Sequence, residues 1–189
     1  MEVPDVSDLK NDLIQLICET SYREGDFTLA SGKKSSFYID VKTTSLHPKG
    51  ADLIGRLGVE TIQREGLKPD AVGGLTLGAD PIGTAISLTA HHQSLHWPAF
   101  IVRKESKGHG TLKYIEGIEN LKPAGKVIVL EDVVTTGGSG IQAVERVKDA
   151  GFEPLCVLSV VDRGDGGEQN ILDKTGLKLF SLVSLSEIK

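Results

Sequence analysis

The residues best suited to chemistry lie between positions 131 and 139, where the sequence EDVVTTGGS separates an apolar stretch from a predicted helix. Glycines let the backbone turn so that several N–H groups converge, threonine and serine add hydroxyl donors, and a helix N-terminus adds a partial positive charge. This combination predicts a cradle for a phosphate group. The residues that would form it are Val133, Val134, Thr135, Thr136, Gly137, Gly138 and Ser139.

Two adjacent acids, Glu131 and Asp132, open the same stretch. Carboxylates repel a phosphate, but they accept hydrogen bonds from sugar hydroxyls or hold a Mg²⁺ that bridges them to a second phosphate. A phosphate cradle beside acceptors for a diol predicts a ribose 5-phosphate site. The simpler alternative is a glycine-rich turn with an acidic helix cap. The sequence contains neither the Walker A spacing nor a G-x-G-x-x-G after an early strand, which excludes those two nucleotide-binding motifs.

A second candidate region is cationic. Arg103, Lys104 and Lys107 fall within five residues, His109 follows them, and the glycines at 108 and 110 offer hinge positions. In a chain of net charge −5, this cluster predicts a local anion site suited to a pyrophosphate leaving group. A solvated polar loop is the alternative, because runs of charge usually lie in solvent. Weak periodicity over residues 103–125 favours a functional loop.

The composition limits the classes of protein to which the chain can belong. The chain has 189 residues, of which 39% are hydrophobic and 25% charged, and this predicts one globular domain over residues 1–189. Net negative charge counts against nucleic-acid binding, and no apolar stretch approaches the ~20 residues of a membrane span. Cys18 and Cys156 lie far apart, and the acidic N-terminus is unlike a secretory signal. We therefore expect a cytoplasmic protein with reduced thiols and no membrane or nucleic-acid partner.

Apolar periodicity predicts the elements that position these residues. Helical spacing is found over residues 7–24 (stopped by Gly25), 48–65, 81–92 and 140–150. Apolar runs typical of strands are found over residues 70–75, 99–102, 126–130, 155–161 and 177–185, and two short strands are expected within 27–42. Strands alternating with helices predict an α/β fold, doubly wound, with a mainly parallel sheet flanked by helices. Ligands of such sheets bind beyond the carboxyl ends of the strands, where residues 131–139 fall.

Four segments resemble one enzyme family. VIVLEDVVTTGGSG resembles the phosphoribosyl pyrophosphate motif of the type I phosphoribosyltransferases, a motif that identifies only the superfamily. FTLASGKKSSFYID, RKESKGHG and VVDR resemble the N-terminal element, the mobile catalytic loop and the orotate-binding strand end of the orotate phosphoribosyltransferases. The resemblance spans nearly the whole chain, from about residue 27 to residue 188. It implies the type I phosphoribosyltransferase fold, with a small hood from about residues 1–45 and the C-terminal segment.

The resemblance also implies an activity: Mg²⁺-dependent transfer of ribose 5-phosphate from phosphoribosyl pyrophosphate to orotate, a step of pyrimidine biosynthesis. It implies catalytic roles for Arg103, Lys107, His109 and Asp132. Phosphoribosyl pyrophosphate would be bound by the same residues together with Lys104, Glu131 and the cradle at 133–139. The Mg²⁺ would be held mainly by the substrate, with Asp132 as the candidate protein ligand.

For the second substrate, the resemblance implies that Thr135 and Arg163 hold orotate and that Phe37 and Tyr38 pack beside it. It further implies a homodimer in which the loop of one subunit reaches over the site of the other. Two alternatives are a phosphoribosyltransferase for another base and a regulator that senses phosphoribosyl pyrophosphate. Arg163 favours orotate, because its charge suits a carboxylate and has no partner on a neutral purine.

The sequence departs from the family pattern at two places. Ala30 stands where members often have a lysine within F-T-L-K-S-G, and Lys33 and Lys34 are the candidate replacements. Some members also carry a lysine in the turn before Pro-Ile, where this chain reads LGADP over residues 77–81. The pyrophosphate side is therefore expected to be less cationic than in those members.

Overall fold

The computed structural model describes residues 5–28, 34–105 and 114–188. Its strands are β1 (Tyr22–Thr28), β2 (Lys34–Ile39), β3 (Ala71–Leu75), β4 (Ala99–Val102), β5 (Ile115–Glu116), β6 (Lys126–Val134), β7 (Glu153–Asp162) and β8 (Leu179–Ser184). Its helices are α1 (Val6–Thr20), α2 (Lys42–Ser45), α3 (Pro48–Arg64), α4 (Ala79–His92), α5 (Gly138–Asp149), α6 (Gly167–Thr175) and α7 (Leu185–Ile188), with a 3₁₀ turn at Ile118–Asn120.

Six of the strands form one sheet in the order β5-β4-β3-β6-β7-β8, and β1 and β2 form a separate antiparallel hairpin. Within the sheet every pairing is parallel except that of β4 with the short edge strand β5. This confirms the predicted mainly parallel α/β sheet. The strand β5 was not predicted, because two residues are too few to show a periodicity.

The central strand β6 shows why the sheet is covered on both faces. Ile128 and Leu130 belong to one hydrophobic core with residues of α1, α3 and α4, whereas Val127 and Val129 belong to a second core with residues of α5 and α6. Successive side chains of a strand point to opposite faces, so an unbroken apolar run needs a helical layer on each side. Burial of each such side chain contributes about 1.5–3 kcal/mol, and the sequence KVIVL therefore fixes β6 at the centre of the fold.

Helix α1 ends earlier than its periodicity predicts. The expectation of a helix over residues 7–24 stopped by Gly25 is wrong, because the helix ends at Thr20 and residues from Tyr22 onward form β1. Pairing of β1 with β2 satisfies the backbone groups that a longer helix would otherwise use. The N-cap is Asp5, whose carboxylate accepts the Ser7 amide at 3.4 Å.

Strand β6 is longer than the predicted 126–130 and continues to Val134, in register with β7 as far as the Val134–Asp162 pair. Glu131 and Asp132 are therefore residues of the strand and do not follow it. The helix over Gly167–Thr175 was also not predicted, since its first turn is glycine-rich and polar.

The two ends of the described chain meet. Lys10 on α1 lies 2.8 Å from Glu187 on α7, and the Cys18 thiol donates to the Ile188 carbonyl at 3.5 Å. Both Cys18 and Cys156 are free thiols. Within residues 5–28, 34–105 and 114–188, none of the helices combines the length and the apolar character that crossing a membrane requires.

Candidate active site

The predicted phosphate cradle forms the turn between β6 and α5, and residues 135–139 are called the phosphate loop below. Residues 133–140 and Glu131 line a cleft of about 190 Å³. Gly137 has a φ of +79°, and a Cβ at that position would lie 2.8 Å from Ile171. Only glycine meets both conditions, since a side chain would be strained by the backbone and by the close approach of α6.

Two further features make the phosphate loop an anion site. The loop leads directly into the 12-residue helix α5, whose N-terminus contributes unpaired N–H groups and a partial positive charge. The Asn170 side chain on α6 donates to the Thr136 carbonyl at 2.7 Å, and this hydrogen bond ties the loop to α6. A phosphate placed in this cleft would meet N–H groups and hydroxyls on a turn that is already held in place.

Asp132 stands between Glu131 and Val133, two residues that line the cleft, and its own carboxylate is held on several sides. Its Oδ1 accepts the Val133 amide at 2.9 Å, and its Oδ2 lies 3.7 Å from the Lys42 ammonium. At the N-cap of α4, Gly78 packs so closely that a Cβ there would lie 2.4 Å from the carboxylate. The turn over residues 77–81 contains no lysine, and the cation beside Asp132 comes from α2.

Lys42 was missed by the sequence analysis. Its ammonium lies 2.7 Å from Asp40 and 3.7 Å from Asp132, and its hydrogen bond with Asp40 is the main cause of its raised pKa. The only signal in the sequence is an acid two residues before a lysine, a pattern common on surfaces. Lys42 supplies a positive charge beside Asp132, close to the turn over residues 77–81 that contains no lysine.

The Glu131 side chain is more deeply buried than that of Asp132. Its Oε2 is buried without a hydrogen-bond partner among the described residues, close to the first turn of α5. Burial, followed by the negative charge of Asp132, raises the pKa of Glu131 from 4.5 to about 8. At neutral pH Glu131 therefore carries its proton, so it can donate a hydrogen bond as well as accept one.

The raised pKa of Glu131 predicts a pH-dependent cost to stability. Between pH 4.5 and about 8 the folded protein retains a proton that the unfolded chain has released, so the free energy of unfolding falls as the pH rises through that window. Glu131→Gln cannot titrate, and it should exceed the wild type in stability at pH 9 by up to about 5 kcal/mol, at 1.36 kcal/mol per pKa unit. The advantage should shrink toward pH 5. Chemical denaturation at pH 5, 7 and 9, without Mg²⁺ or substrate, measures it.

The matched control for this experiment is Glu145→Gln, which changes an exposed glutamate on α5. Its free energy of unfolding should follow that of the wild type at each pH. If the two variants gain equally at pH 9, the gain comes from general charge removal and not from the buried position of Glu131.

Arg163 extends the site onto the neighbouring strand end. Its amide donates to the Val134 carbonyl at 3.0 Å, and its guanidinium lies 4.7 Å above the Phe37 ring. The side chain is only 9% exposed and forms an ion pair of 3.1 Å with Asp165, which is itself 48% exposed. A nearly buried cation that pairs with a half-exposed acid suits a ligand carboxylate, which would replace that acid.

The two predicted aromatic residues are separated by the pleat of β2. Phe37 is buried between Arg163 and the Tyr22 ring, which lies 5.8 Å away. Tyr38 is exposed, and its ring packs at a tilt against the Phe27 ring with a centroid distance of 5.6 Å. Both residues line a larger cleft of about 420 Å³ that includes Asp40. Of the pair, only Phe37 contacts Arg163.

The cationic segment (residues 103–109) is described only at its start. Arg103 pairs with Glu116 at 2.7 Å, and its Nε donates to the Glu105 carbonyl at 3.3 Å. Lys104 is exposed. Lys107 and His109 lie outside the described residues, as do Ala30 and Lys33, whereas Lys34 is described and exposed at the start of β2.

The sheet is mainly parallel, the phosphate loop follows its central strand in the chain, and two acids precede that loop. This arrangement defines a type I phosphoribosyltransferase. The chain is 46% identical to an orotate phosphoribosyltransferase of Nostoc sp. over 185 residues, which cover 98% of this chain and 87% of that relative. No protein-family model matches the sequence. The chain belongs to the orotate phosphoribosyltransferase family.

Solved structures agree with this assignment. The orotate phosphoribosyltransferase of Mycobacterium tuberculosis, in complex with Fe(III) dicitrate, matches with a TM-score of 0.82 at 38% identity, covering 95% of this chain and 98% of that one. The same enzyme in complex with phosphoribosyl pyrophosphate matches with a TM-score of 0.77 at 35% identity over the same shares. The chain is thus a pentosyltransferase of pyrimidine biosynthesis, which moves ribose 5-phosphate from phosphoribosyl pyrophosphate to orotate.

Proposed function

We propose that the residues around the ends of β6 and β7 carry out this transfer. The phosphate loop binds the 5-phosphate, Glu131 and Asp132 hold the ribose hydroxyls, and Arg163 binds the orotate carboxylate. The observation that carries the proposal is the 3.0 Å hydrogen bond from the Arg163 amide to the Val134 carbonyl, which sets the two half-sites side by side. A sugar phosphate and a carboxylate bound there would share one cleft.

The reaction breaks the bond between the anomeric carbon and the pyrophosphate oxygen, and it forms a bond from that carbon to N1 of orotate. The electron pair of the broken bond leaves with pyrophosphate, and positive charge builds on the ribose ring, as in other glycosyl transfers. Arg103, Lys104 and, by resemblance, Lys107 and His109 would neutralise the leaving group. Orotate carries its negative charge on the carboxylate, and the proton on N1 leaves as the new bond to the anomeric carbon forms. The departing pyrophosphate can accept that proton, so the chain need not supply a strong base.

The residues present fit a Mg²⁺ held mainly by the substrate. Within residues 5–28, 34–105 and 114–188 there is no group of three His, Cys, Asp or Glu side chains that could hold a metal ion. Asp132 has one oxygen 3.7 Å from the Lys42 ammonium, and it would offer a single anionic ligand beside the residues that line the cleft. Mg²⁺ commonly binds through one or two carboxylates plus phosphate oxygens, and when bound it would neutralise the charge on pyrophosphate.

For the orotate pocket, we assign Arg163 and Thr135 to polar recognition and Phe37 to packing beneath Arg163. Tyr38 lies on the opposite face of β2 and would pack beside the base from that side. We further assign the hood to the hairpin β1–β2 together with the meeting chain ends at α1 and α7. A hood over this edge would exclude water, which otherwise hydrolyses the activated sugar.

We also propose that the enzyme acts in the cytoplasm as a homodimer whose cationic segments each serve the partner's site. Two free thiols support a reducing compartment. The resemblance of the segment RKESKGHG to the mobile catalytic loop of the family supports the shared arrangement.

An assay of orotate loss tests the proposed reaction. With phosphoribosyl pyrophosphate and Mg²⁺ present, the absorbance of orotate should fall at a rate proportional to enzyme, and chelation of Mg²⁺ should stop it. Adenine, hypoxanthine and uracil should neither react nor compete. Transfer to a neutral base at a comparable rate would overturn the assignment of Arg163 to a carboxylate.

Replacement of Arg163 provides a second test. Arg163→Gln keeps a polar side chain of similar reach but removes the charge, and a charge-assisted hydrogen bond is worth roughly 1.5 kcal/mol or more. The KM for orotate should rise about tenfold or more, while the KM for phosphoribosyl pyrophosphate should change by less than about twofold. Steady-state kinetics with each substrate varied in turn measures the two KM values separately.

The control is Asp165→Asn, which removes the acid that pairs with Arg163 in the absence of orotate. Its KM for orotate should stay equal to or fall below that of the wild type. If Arg163→Gln impairs both substrates alike, then Arg163 has a structural or phosphate-binding role.

A further inference from the structure

The helix that begins at the phosphate loop also reaches the start of the cationic segment. Arg146, in the last turns of α5, donates through Nη1 to the Arg103 carbonyl and through Nη2 to the Lys104 carbonyl, the latter at 2.9 Å. The Arg146 side chain is half-buried. One guanidinium therefore binds the backbone of two consecutive residues that the proposed function assigns to pyrophosphate.

The same guanidinium contacts the chain where it returns from the cationic segment. Its Cζ lies 4.3 Å from the centroid of the Tyr114 ring, and the Arg103 amide donates to the Tyr114 carbonyl at 2.8 Å. Arg146 thus joins the outgoing and the returning chain at the point where they pair. The cation is attracted by the partial negative charge of the aromatic face.

This set of contacts requires the shape of arginine. Two parallel N–H groups of a planar fork reach adjacent carbonyl oxygens while the plane of the guanidinium stacks on the ring. A lysine at the same position offers one compact ammonium, which could satisfy one carbonyl but could not make all three contacts. The charge of Arg146 alone does not account for the arrangement.

We propose that Arg146 is a positioning residue for the transfer reaction. It ties Arg103 and Lys104 to the helix whose N-terminus forms the phosphate loop, so that the distance between the 5-phosphate site and the cations for pyrophosphate is fixed by one rigid element. Small displacements of such groups reduce the stabilisation of the transition state far more than the binding of the ground state. The inference rests on the proposed role of Arg103 and Lys104.

The test compares Arg146→Lys and Arg146→Ala with a control on the same helix, Lys148→Ala. Lys148 is exposed and donates to the Thr175 carbonyl at 3.2 Å, so its removal costs a similar cation–carbonyl bond away from the site. Both Arg146 variants should lose about tenfold or more in kcat, with the Kd for orotate and the melting temperature close to those of the wild type. Lys148→Ala should keep the wild-type kcat.

Three results would overturn the inference. They are a wild-type kcat in Arg146→Ala, full activity in Arg146→Lys, or a loss of activity that follows the loss of thermal stability across the variants. The Arg146→Lys variant keeps the charge and most of the apolar stem, so it remains informative even if Arg146→Ala fails to fold.

A mutant cycle in which Arg103 and Lys104 are both replaced by alanine separates this inference from the proposed function. If Arg146 acts through these two residues, adding Arg146→Ala to the Arg103→Ala/Lys104→Ala variant should lower its activity little further. A wild-type activity in the Arg103→Ala/Lys104→Ala variant would remove the proposed role of these two cations. An impaired Arg103→Ala/Lys104→Ala variant whose defect multiplies with that of Arg146→Ala would leave that role intact and reject the positioning role of Arg146.

Discussion

The Asp132→Asn variant should lose about 10–150-fold in kcat/KM for phosphoribosyl pyrophosphate and keep the wild-type fold. A hydrogen bond from a sugar hydroxyl to a carboxylate is worth roughly 1.5–3 kcal/mol, and the amide retains the shape of the acid without its charge. The nearby Lys42 ammonium would also lose its second acidic partner. Steady-state kinetics at saturating orotate and Mg²⁺, with circular dichroism to verify folding, measures the effect.

Glu131→Gln is the matched comparison, one residue away on the same strand. Because burial holds the pKa of Glu131 at about 8, its side chain is a neutral acid at pH 7, and a neutral amide of the same shape should cost less than the change at Asp132. The expected order of activity at pH 7 is wild type, Glu131→Gln, then Asp132→Asn. Unchanged kinetics in Asp132→Asn would remove this acid from the ribose site.

The central part of the fold could be predicted from the sequence because its signals are local. The run KVIVL forms a strand that is buried on both faces, and Gly137 occupies a turn position that is closed to larger residues. The phosphate loop and the two acids before it could be located for the same reason, since they follow one another within the nine residues 131–139. Each of these inferences needed only neighbours in the chain.

Contacts between distant segments could not be predicted in the same way. Lys42 meets Asp132 and Arg146 meets Arg103 only after α2 and α5 have packed on the sheet, and neither pair has a sequence spacing that marks it. The end of α1 was mispredicted because strand pairing with β2 competes with helix propagation. Tertiary hydrogen bonding decides such boundaries, and a periodicity does not report it.

The strand β2 shows what a family resemblance can predict about a site and what it cannot. Phe37 and Tyr38 are adjacent in the motif and were expected to act together, but the pleat of a strand directs neighbours to opposite faces. Phe37 contacts Arg163 and Tyr38 contacts Phe27. A motif identifies which residues are available, whereas the strand geometry decides which of them share a cleft.

Lys107→Ala should lower kcat by about 10²–10³-fold and leave the Kd for orotate nearly unchanged. Lys107 lies outside the described residues, so the expectation rests on its place in the motif RKESKGHG and on the chemistry of the leaving group. A group that stabilises charge developing on pyrophosphate is worth ~3–4 kcal/mol in the transition state. The control is Lys122→Ala, an exposed lysine that pairs with Asp70 away from the cleft and should keep full activity.

Mixing two inactive variants then tests whether the cationic segments are shared between subunits. In a heterodimer of Lys107→Ala with Asp132→Asn, a shared arrangement places both substitutions in one site and leaves the other site intact. Random exchange makes half of the dimers mixed, and each has one sound site of two, so activity should return to up to about a quarter of the wild-type value in an isologous dimer. Exchange of subunits is verified independently with tagged chains. Samples that exchange and stay inactive would mean that each cationic segment serves the ribose site of its own subunit.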